Sequence, residues 1–168
     1  IRVSLVGSEM CIRDRSGDDM ILKRMKRRHN SKDVFQFVDR CKKIRKDISF
    51  GADIIAGFPT ETDTMFENTY KLLRENEISH LHIFPFSPKN NTPASRMPQI
   101  SKSIIKKRAK ILRVLGELLL KKVKSKLSLP REILIEELNS GIAIGYDQNY
   151  IKHKVPLVGV PVGEVIRV

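Results

Sequence analysis

Residues 48–62 read ISFGADIIAGFPTET, and this stretch decides the fold. The apolar run at 48–57 ends in a Gly-Phe-Pro turn, which is typical of a buried strand that leads directly into a helix. Thr60 or Thr62 is placed to cap that helix, whose apolar residues are Met65, Phe66, Tyr70, Leu72 and Leu73. The run SHLHIFPF at 79–86 predicts the next strand. This order of strand, helix and strand, with short turns, predicts parallel strands joined by a right-handed crossover.

Three further helices are predicted around this unit. Ser16 is expected to cap the first, with Asp18 and Asp19 in its first turn, and the second begins after Asn30 and Ser31. The third and longest covers about 101–127. Their expected apolar stripes are Met20, Ile21, Leu22 and Met25 on the first, Val34, Phe37, Val38, Cys41 and Ile44 on the second, and Ile104, Ile111, Leu115, Leu118 and Leu119 on the third.

The two ends of the chain differ from this α/β region. Residues 1–15, IRVSLVGSEMCIRDR, have no amphipathic period and no signal-peptide organisation, and they resemble translated sequencing-adaptor read-through. We expect them to be a sequence artefact, so Cys11 carries no chemistry. At the other end Pro130 is expected to end the long helix. The β-type runs that follow predict a small antiparallel barrel, incomplete at its end, from 133–138, 141–146, 151–155 and 164–168.

The composition excludes several classes of protein. Hydrophobic residues make up 40% of the chain and charged residues 30%, as in globular proteins, and no apolar run approaches the roughly 20 residues that cross a bilayer. Two cysteines without CxxC spacing argue against a disulfide framework or a zinc ribbon and fit the cytoplasm. His80 and His82 share one side of a strand but lack a third ligand, so no metal site is predicted.

The net charge of +13 is concentrated in two blocks. Residues 1–50 carry 14 Lys/Arg against 7 Asp/Glu, and residues 101–129 carry 10 against 1. Such blocks favour a surface that faces a polyanion, with solvated helix faces as the alternative. We interpret the chain as RNA-binding, and the candidate RNA contacts are Lys23, Arg24, Lys26, Arg27, Arg28, Lys89 and Arg96.

Four residues of the predicted strands are candidates for binding a ligand. Asp53 lies inside an apolar strand, where a carboxylate must be paired or functional because an unpaired buried charge is costly. Gly57 at the end of that strand lets the backbone approach a flat ring, although a tight turn into a helix accounts for it as well. Phe84 and Phe86 suit stacking on a base or adenine, or plugging the mouth of a barrel.

Four phrases, taken together, strongly resemble the methylthiotransferases of the radical S-adenosylmethionine superfamily. They are Ser16-Gly17-Asp18, LKRMKRR at 22–28, ADIIAGFPTET at 52–62 and HLHIFPFSPKNNTPASRMPQ at 80–99. The closest likeness is to the branch that acts on threonylcarbamoyladenosine in tRNA. Residues 131–168, through ILIEE and GEVIRV, resemble the TRAM module of this family, a small β-barrel that grips tRNA.

The resemblance implies a fold and two domains. Residues 16–129 are expected to form the C-terminal part of the catalytic domain, which is an α/β fold and the second half of a partial (β/α)6 radical-SAM barrel. Residues 130–168 are expected to form the TRAM-like antiparallel β-barrel. The full-length family uses S-adenosylmethionine and two [4Fe–4S] clusters. Cys11 and Cys41 match none of the cysteines that hold those clusters, so this chain alone is expected to be inactive.

The resemblance also implies the function and its sites. The full-length enzyme methylthiolates C2 of N6-threonylcarbamoyladenosine, beside the anticodon, with the tRNA anticodon stem-loop as partner and a monomer as the expected state. The S-adenosylmethionine pocket is expected to include Ser16, Asp53, Gly57, Phe84 and Phe86. The alternatives are an isopentenyladenosine tRNA methylthiotransferase, a ribosomal-protein methylthiotransferase and a non-catalytic RNA-binding protein.

Overall fold

The computed structural model describes residues 3–6, 9–127, 131–156 and 159–167, with the backbone alone at 3–6, 9–11 and 13. Its helices are α1 (Asp19–Arg24), α2 (Ser31–Ile44), α3 (Asp63–Glu75) and α4 (Lys102–Lys126), with a short 3-10 helix at Pro93–Arg96. Its strands are β1 (Val3–Val6), β2 (Glu9–Arg15), β3 (Ser49–Ala56), β4 (His80–Pro85), β5 (Glu132–Asn139), β6 (Ile142–Asp147), β7 (Lys152–Pro156) and β8 (Val165–Arg167). The break expected at Pro130 and the strand end at Val168 lie outside the described residues.

Strands β2, β3 and β4 form a parallel sheet, and β1 pairs antiparallel with β2 at its edge. Because α3 connects the adjacent parallel strands β3 and β4, the β-α-β unit expected at 48–86 is confirmed. Thr62 rather than Thr60 caps α3, since its hydroxyl accepts a hydrogen bond from the backbone N–H of Met65. Thr60 instead adopts a left-handed backbone conformation, with φ of 67°.

One face of the parallel sheet is packed and the opposite face is open. The packed face joins β3 and β4 to three helices through Phe50, Ala52, Ile54, Ile83, Val34, Val38, Leu72, Leu73, Ala109, Leu112, Leu115 and Leu119. Successive side chains of a strand alternate between faces, so Asp53 and Ile55 lie on the other side. Register places His82 beside Asp53 and Phe84 beside Ile55. All four are half-buried or exposed, whereas parallel sheets are normally covered on both faces.

The apolar stripe expected on α4 is wrong for three of its five residues. Ile104, Ile111 and Leu118 are exposed, and the helix instead buries Ile105, Arg108, Ala109, Leu112, Leu115, Gly116 and Leu119. Apolar residues occupy more than one side of this helix, so periodicity alone does not select the packed face. Gly116 does select it, because a Cβ there would lie 3.3 Å from the Leu81 side chain. The glycine thus permits the close approach of α4 to β4.

The two preceding helices also depart from expectation in detail. Asp18, not Ser16, is the N-cap of α1, because its carboxylate accepts from the backbone N–H groups of Met20 and Ile21, each at 3.1 Å. Met20 therefore falls on the outside of this short helix and is half exposed. Helix α2 begins at Ser31, with Asn30 as its N-cap, but Ile44 of its predicted stripe is 88% exposed and contributes nothing to the core.

The C-terminal strands form a second, antiparallel sheet in the order β7-β6-β5-β8. Its buried residues are Ile133, Ile135 and Ala143, with Val155, Val160 and Ile166 packed against them. The four predicted β-type runs are confirmed as strands. Within 131–156 and 159–167, however, β7 and β8 are the two edges of the sheet and do not pair with each other. The predicted barrel, which was expected to be incomplete at its end, is thus an open four-stranded sheet over the described residues.

The turn between β6 and β7 attaches this second sheet to the α/β region. The Asn149 side-chain amide donates to the Asp47 carbonyl, and the Ser49 hydroxyl donates to the Asn149 carbonyl at 3.1 Å. The Asp147 carboxylate holds the turn in shape by accepting from the backbone N–H groups of Asn149 and Ile151, at 2.8 and 3.0 Å. Burial alone raises the pKa of Asp147, but its hydrogen bonds outweigh burial and lower that pKa. Two hydrogen bonds through Asn149 thus attach the turn to the α/β region.

Candidate functional site

The carboxyl ends of the parallel strands bring three of the predicted cofactor residues to one edge of the sheet. Each comes directly after its strand: Ser16 after β2, Gly57 after β3 and Phe86 after β4. The Phe86 N–H donates to the Ala56 carbonyl at 2.9 Å, and its ring packs edge-to-face on Phe58, with 5.4 Å between centroids. In parallel α/β folds this edge is where ligands bind.

A buried ion pair shapes the loop that follows β3. The Glu61 side chain is 2% exposed, and its Oε2 accepts from Arg108 at 2.8 Å and from the Gly57 backbone N–H at 3.1 Å. Arg108 also donates to the Glu61 carbonyl at 2.9 Å and to Asp63 at 2.7 Å. Burial raises the pKa of Glu61, and Arg108 opposes that rise. Sequence reasoning missed this pair, because Arg108 was counted among the exposed cations of the second basic block.

Gly57 is required by packing as well as by its position. Its φ of +75° lies in the left-handed region, and a Cβ there would lie 2.5 Å from Cγ1 of Ile105 on α4. The absent side chain thus lets α4 close against the strand end. Because its N–H already donates to Glu61, the glycine holds the loop in shape whether or not a ligand lies beside it.

Asp53 and Phe84 lie on the open face of the sheet. The Asp53 carboxylate is 3.5 Å from the Arg15 guanidinium, whose central carbon lies 5.8 Å from the centre of the Phe84 ring. Arg15 belongs to the segment predicted to be an artefact, and its φ of 69° is unusual for a side chain of this size. Apart from Arg15, Asp53 and Phe84 present a carboxylate and an aromatic face to the same open surface.

Ser16 is buried and engaged within the protein. Its hydroxyl is 3.2 Å from the Thr69 hydroxyl on α3 and accepts from the Asp18 backbone N–H at 3.2 Å. Gly17 donates to the same Thr69 hydroxyl, and its own Cβ would lie 2.7 Å from the Thr69 Cα. These contacts attach the end of β2 to α3. The structure therefore gives Ser16 a structural role at the predicted site.

The five predicted RNA contacts at 23–28 divide into one engaged cation and four exposed ones. Arg24 is half-buried and donates to the Thr60 hydroxyl at 2.7 Å and the Thr60 carbonyl at 3.3 Å. The helix α1 ends at Arg24, before Met25 of its predicted stripe. Lys26, Arg27 and Arg28 therefore lie on the turn after the helix and not on the helix itself. The exposed cations are Lys23, Lys26, Arg27 and Arg28.

The loop between β4 and α4 carries the other two predicted RNA contacts. Lys89 and Arg96 are both exposed. The Thr92 hydroxyl donates to the Lys89 carbonyl at 2.8 Å, and the Thr92 side chain also caps the 3-10 helix that ends at Arg96. The loop is thus locally organised, and it follows the same strand end that carries Phe84 and Phe86.

The remaining candidate ligands are not gathered together. Cys41 is half-buried and packs against the apolar core, as its position on α2 predicts, and the Cys11 side chain lies outside the described residues. In the part of the chain that the structure describes, no three His, Cys, Asp or Glu side chains are close enough to hold a metal ion. None of the described helices is long and apolar enough to cross a membrane.

A groove that sequence reasoning missed runs along the contact between the two sheets. We call it the seam groove; its volume is about 350 Å³ and it lies between β4, α4 and the β6–β7 turn. Its polar and aromatic lining consists of Ser79, His80, His82, Arg113, Glu117 and Tyr150. Because Ser79 and Tyr150 are 71 positions apart in the sequence, no local pattern could have predicted the groove.

Comparison with known proteins gives a consistent set of relatives. No family model matches the chain. The chain is 52% identical to the threonylcarbamoyladenosine tRNA methylthiotransferase of Rickettsia prowazekii over 145 residues, which cover 83% of this chain and 32% of that protein. It is 39% identical to the enzyme of the same name from Thermotoga maritima over 158 residues, 89% of this chain and 35% of that protein.

A relative with a different printed substrate matches a shorter part of the chain. The tRNA-2-methylthio-N(6)-dimethylallyladenosine synthase of Ehrlichia chaffeensis is 42% identical over 83 residues, which cover 49% of this chain and 19% of that protein. The chain spans about a third of the length of the threonylcarbamoyladenosine relatives that it matches.

Proposed function

This chain belongs to the tRNA methylthiotransferase family, and from that membership we propose that it is part of an enzyme that methylthiolates C2 of N6-threonylcarbamoyladenosine in tRNA. The observation that carries this choice of substrate is the 52% identity, over 83% of the chain, with the Rickettsia relative of that name. The Ehrlichia relative named for dimethylallyladenosine is 42% identical over 49% of the chain, which makes the isopentenyladenosine branch the second candidate.

The open face of the parallel sheet supports the proposal that this sheet is part of a larger β-barrel. A parallel sheet that is packed on one face only leaves Asp53, Ile55, His82 and Phe84 without the cover that such sheets normally have. Further strands would bring that face to the inside of a closed or nearly closed sheet. We therefore propose that residues 16–129 are the second half of a partial (β/α)6 barrel, with α2, α3 and α4 on its outside.

Two residues of the open face fit the nucleoside part of S-adenosylmethionine. The Asp53 carboxylate is an acceptor suited to ribose hydroxyls, and the exposed Phe84 ring is suited to lie against adenine. Ser16, Gly57 and Phe86 act beside them by fixing the strand ends, since each is held by contacts within the protein. This division of roles refines the pocket that the resemblance implies.

S-adenosylmethionine and a [4Fe–4S] cluster supply, when bound, the radical chemistry by which such enzymes activate adenine C2. This chain would contribute the surface that orients the nucleoside and the cations that hold the RNA. Lys23, Lys26, Arg27 and Arg28 are exposed and suited to phosphates. We propose that the second sheet is a TRAM-like module that grips the tRNA anticodon stem-loop in the cytoplasm.

The substrate is tested most directly in the source organism. Deleting the complete gene should remove the methylthio group from threonylcarbamoyladenosine in total tRNA, as measured by mass spectrometry of digested nucleosides. The unmethylthiolated nucleoside should accumulate, and a plasmid-borne copy of the gene should reverse the change.

Other results of the same measurement would overturn the proposal in distinct ways. Loss of the methylthio group from isopentenyladenosine alone would assign the protein to the isopentenyladenosine branch. Unchanged tRNA nucleosides, in cells that carry no other gene of this family, would remove tRNA methylthiolation from the protein altogether.

A further inference from the structure

The seam groove contains two buried polar atoms that lack a hydrogen-bond partner among the described residues. They are Oγ of Ser79, a residue that is 3% exposed, and Nε2 of His80. Leaving a buried polar group unpaired is energetically costly, so such atoms mark places where a partner from outside is favourable. Both residues lie at the start of β4 and line the same groove.

The state of His80 determines what kind of partner it can accept. Burial lowers the pKa of His80, and a backbone hydrogen bond with Asn149 opposes that change only in part. The imidazole is therefore neutral near pH 7. With its other ring nitrogen directed to the backbone, Nε2 presents a lone pair, whereas the Ser79 hydroxyl can donate or accept. Together, Nε2 of His80 and the Ser79 hydroxyl can hydrogen-bond to the edge of a ligand that carries both donors and acceptors.

Tyr150 forms an aromatic wall of the groove. Its ring stacks on Tyr146, with centroids 4.8 Å apart and planes 23° apart, and it meets the His80 ring edge-on at 6.5 Å. The residue is 45% exposed and has a φ of 58°, a strained conformation for a large side chain. Asp147 enforces that conformation, because the Tyr150 N–H donates to its carbonyl at 2.9 Å. A rigid ring suits stacking at low entropic cost.

The charges of the groove favour a neutral ring over an isolated phosphate. Arg113 and Glu117 both line it and offset each other, whereas the exposed Lys124 lies one turn of α4 beyond Leu120, which also lines the groove. On the other side of Tyr150 the lining includes the exposed carboxylates of Glu132 and Glu136, which repel a polyanion. The seam side is thus the side of Tyr150 that an RNA strand can occupy.

We propose that the seam groove binds one unstacked nucleobase of the RNA. Tyr150 stacks on the base, Ser79 and His80 hydrogen-bond to its edge, and Lys124 contacts a neighbouring phosphate. An unstacked base presents both an aromatic face and a donor–acceptor edge, which is the combination that this lining matches. The inference rests on the proposed function, because it takes the RNA partner from there.

The test measures the affinity of the whole chain for an unmodified tRNA transcript that carries an adenosine beside its anticodon. Tyr150→Leu should weaken binding by roughly tenfold, the range expected for losing one stacked base, whereas Tyr150→Phe should bind as the wild type does. Phe35→Leu is the matched control, because Phe35 is 46% exposed and lies on α2, outside the groove. Ser79→Ala should weaken binding by about fivefold, since it removes one hydrogen bond.

The salt dependence separates the base from the phosphate. Tyr150→Leu should leave the slope of log affinity against log salt unchanged, whereas Lys124→Gln should reduce it by about 0.7. A second measurement follows the tyrosine fluorescence of the folded wild-type chain, which contains three tyrosines and no tryptophan. Stacking on a base should quench tyrosine fluorescence when the transcript is added, and Tyr150→Phe should lose the largest part of that change.

The outcomes distinguish this inference from the function on which it rests. If the wild-type chain does not bind the transcript, the RNA-binding role itself is contradicted. If the wild type binds and Tyr150→Leu binds as tightly as Phe35→Leu, the seam groove is not the base site. Equal quenching in the wild type and in Tyr150→Phe would overturn the inference as well, even if Tyr150→Leu failed to fold.

Discussion

Arg108 on α4 donates to both the side chain and the backbone carbonyl of Glu61, at 2.8 and 2.9 Å, across 47 positions of the chain. The pair lies almost wholly out of solvent, and Glu61 in turn accepts from Gly57. One guanidinium thus connects the helix that closes the sheet to the loop at the end of β3. The candidate cofactor edge therefore depends on a buried side chain from α4.

Removing Arg108 should destabilise the protein strongly. Arg108→Met leaves the Glu61 carboxylate buried without its charged partner, and breaking such a pair costs about 3–5 kcal/mol. Urea unfolding monitored by circular dichroism measures the loss. Lys110→Met, two residues along the same helix and exposed, is the control and should change the unfolding free energy by less than about 0.5 kcal/mol.

The double variant shows whether the buried charge is the cause. Adding Glu61→Gln to Arg108→Met removes the uncompensated carboxylate and should restore part of the stability. If the double variant were less stable than Arg108→Met by the full cost of Glu61→Gln alone, the two residues would be acting independently.

The sequence predicted elements well where periodicity and turns act locally. The β3–α3–β4 unit follows from the apolar run at 48–57, the Gly-Phe-Pro turn and SHLHIFPF at 79–86. The sequence did not predict features that depend on contacts between residues far apart in the chain. The packed face of α4 depends on the approach of Gly116 to Leu81, and the buried state of Arg108 depends on Glu61. Both are tertiary contacts that no single helix pattern reports.

The same limit applies to the candidate site. Asp53 was recognised because a carboxylate in an apolar strand requires an explanation. Ser79 was not recognised, because a serine at the start of a strand is ordinary until its hydroxyl is found buried without a partner. The position of Tyr150 in the groove likewise depends on a tertiary contact, because its turn is attached to Ser49 through the Asn149 carbonyl.

Asp14 should make stability depend on pH. It is fully buried, and burial raises its pKa from 3.8 to about 7, against opposing positive charges that include Arg27. A carboxyl whose pKa is raised in the folded state destabilises that state as pH rises above the unfolded value. The loss grows between about pH 4 and pH 7 and then levels off, at roughly 4 kcal/mol for a shift of about 3 pH units.

Comparing Asp14→Asn with the wild type isolates this effect. The variant should be more stable than the wild type near pH 8 and similar near pH 4, in denaturant titrations across that interval. Glu67→Gln on α3, exposed on the surface, is the control and should follow the wild-type curve. A wild-type stability that rises from pH 4 to pH 8 relative to Asp14→Asn would contradict the burial of an unpaired carboxyl.

The same residue bears on the origin of residues 1–15. Among the described residues neither oxygen of Asp14 has a hydrogen-bond partner, the His29 Nε2 is 3.4 Å away, and burial lowers the pKa of His29. Together with the positive φ of Arg15, this is an unfavourable sequence for a central strand. We expect resequencing of the genomic DNA to give a different strand here, with an apolar residue at position 14. An independent read that returns IRVSLVGSEMCIRDR unchanged would disprove the artefact.

RNA binding should depend more on the turn after α1 than on Lys106 and Lys110 in the first half of α4. Arg27 and Arg28 are exposed on that turn, whereas Arg24 is committed to Thr60 and should be left intact. Reversing Arg27 and Arg28 to Glu should weaken binding of the tRNA transcript by about 1 kcal/mol or more per lost contact, and flatten the log–log salt slope by about 0.7–0.9 per phosphate.

Reversing Lys106 and Lys110, exposed on α4, changes the net charge equally and serves as the matched comparison. A smaller loss is expected from Lys106 and Lys110, because α4 closes the sheet through Ile105, Ala109 and Leu112. Equal losses from both pairs would indicate diffuse electrostatic attraction, and filter-binding titrations at several salt concentrations measure the difference. No loss from either pair would contradict the RNA-facing role of both basic blocks.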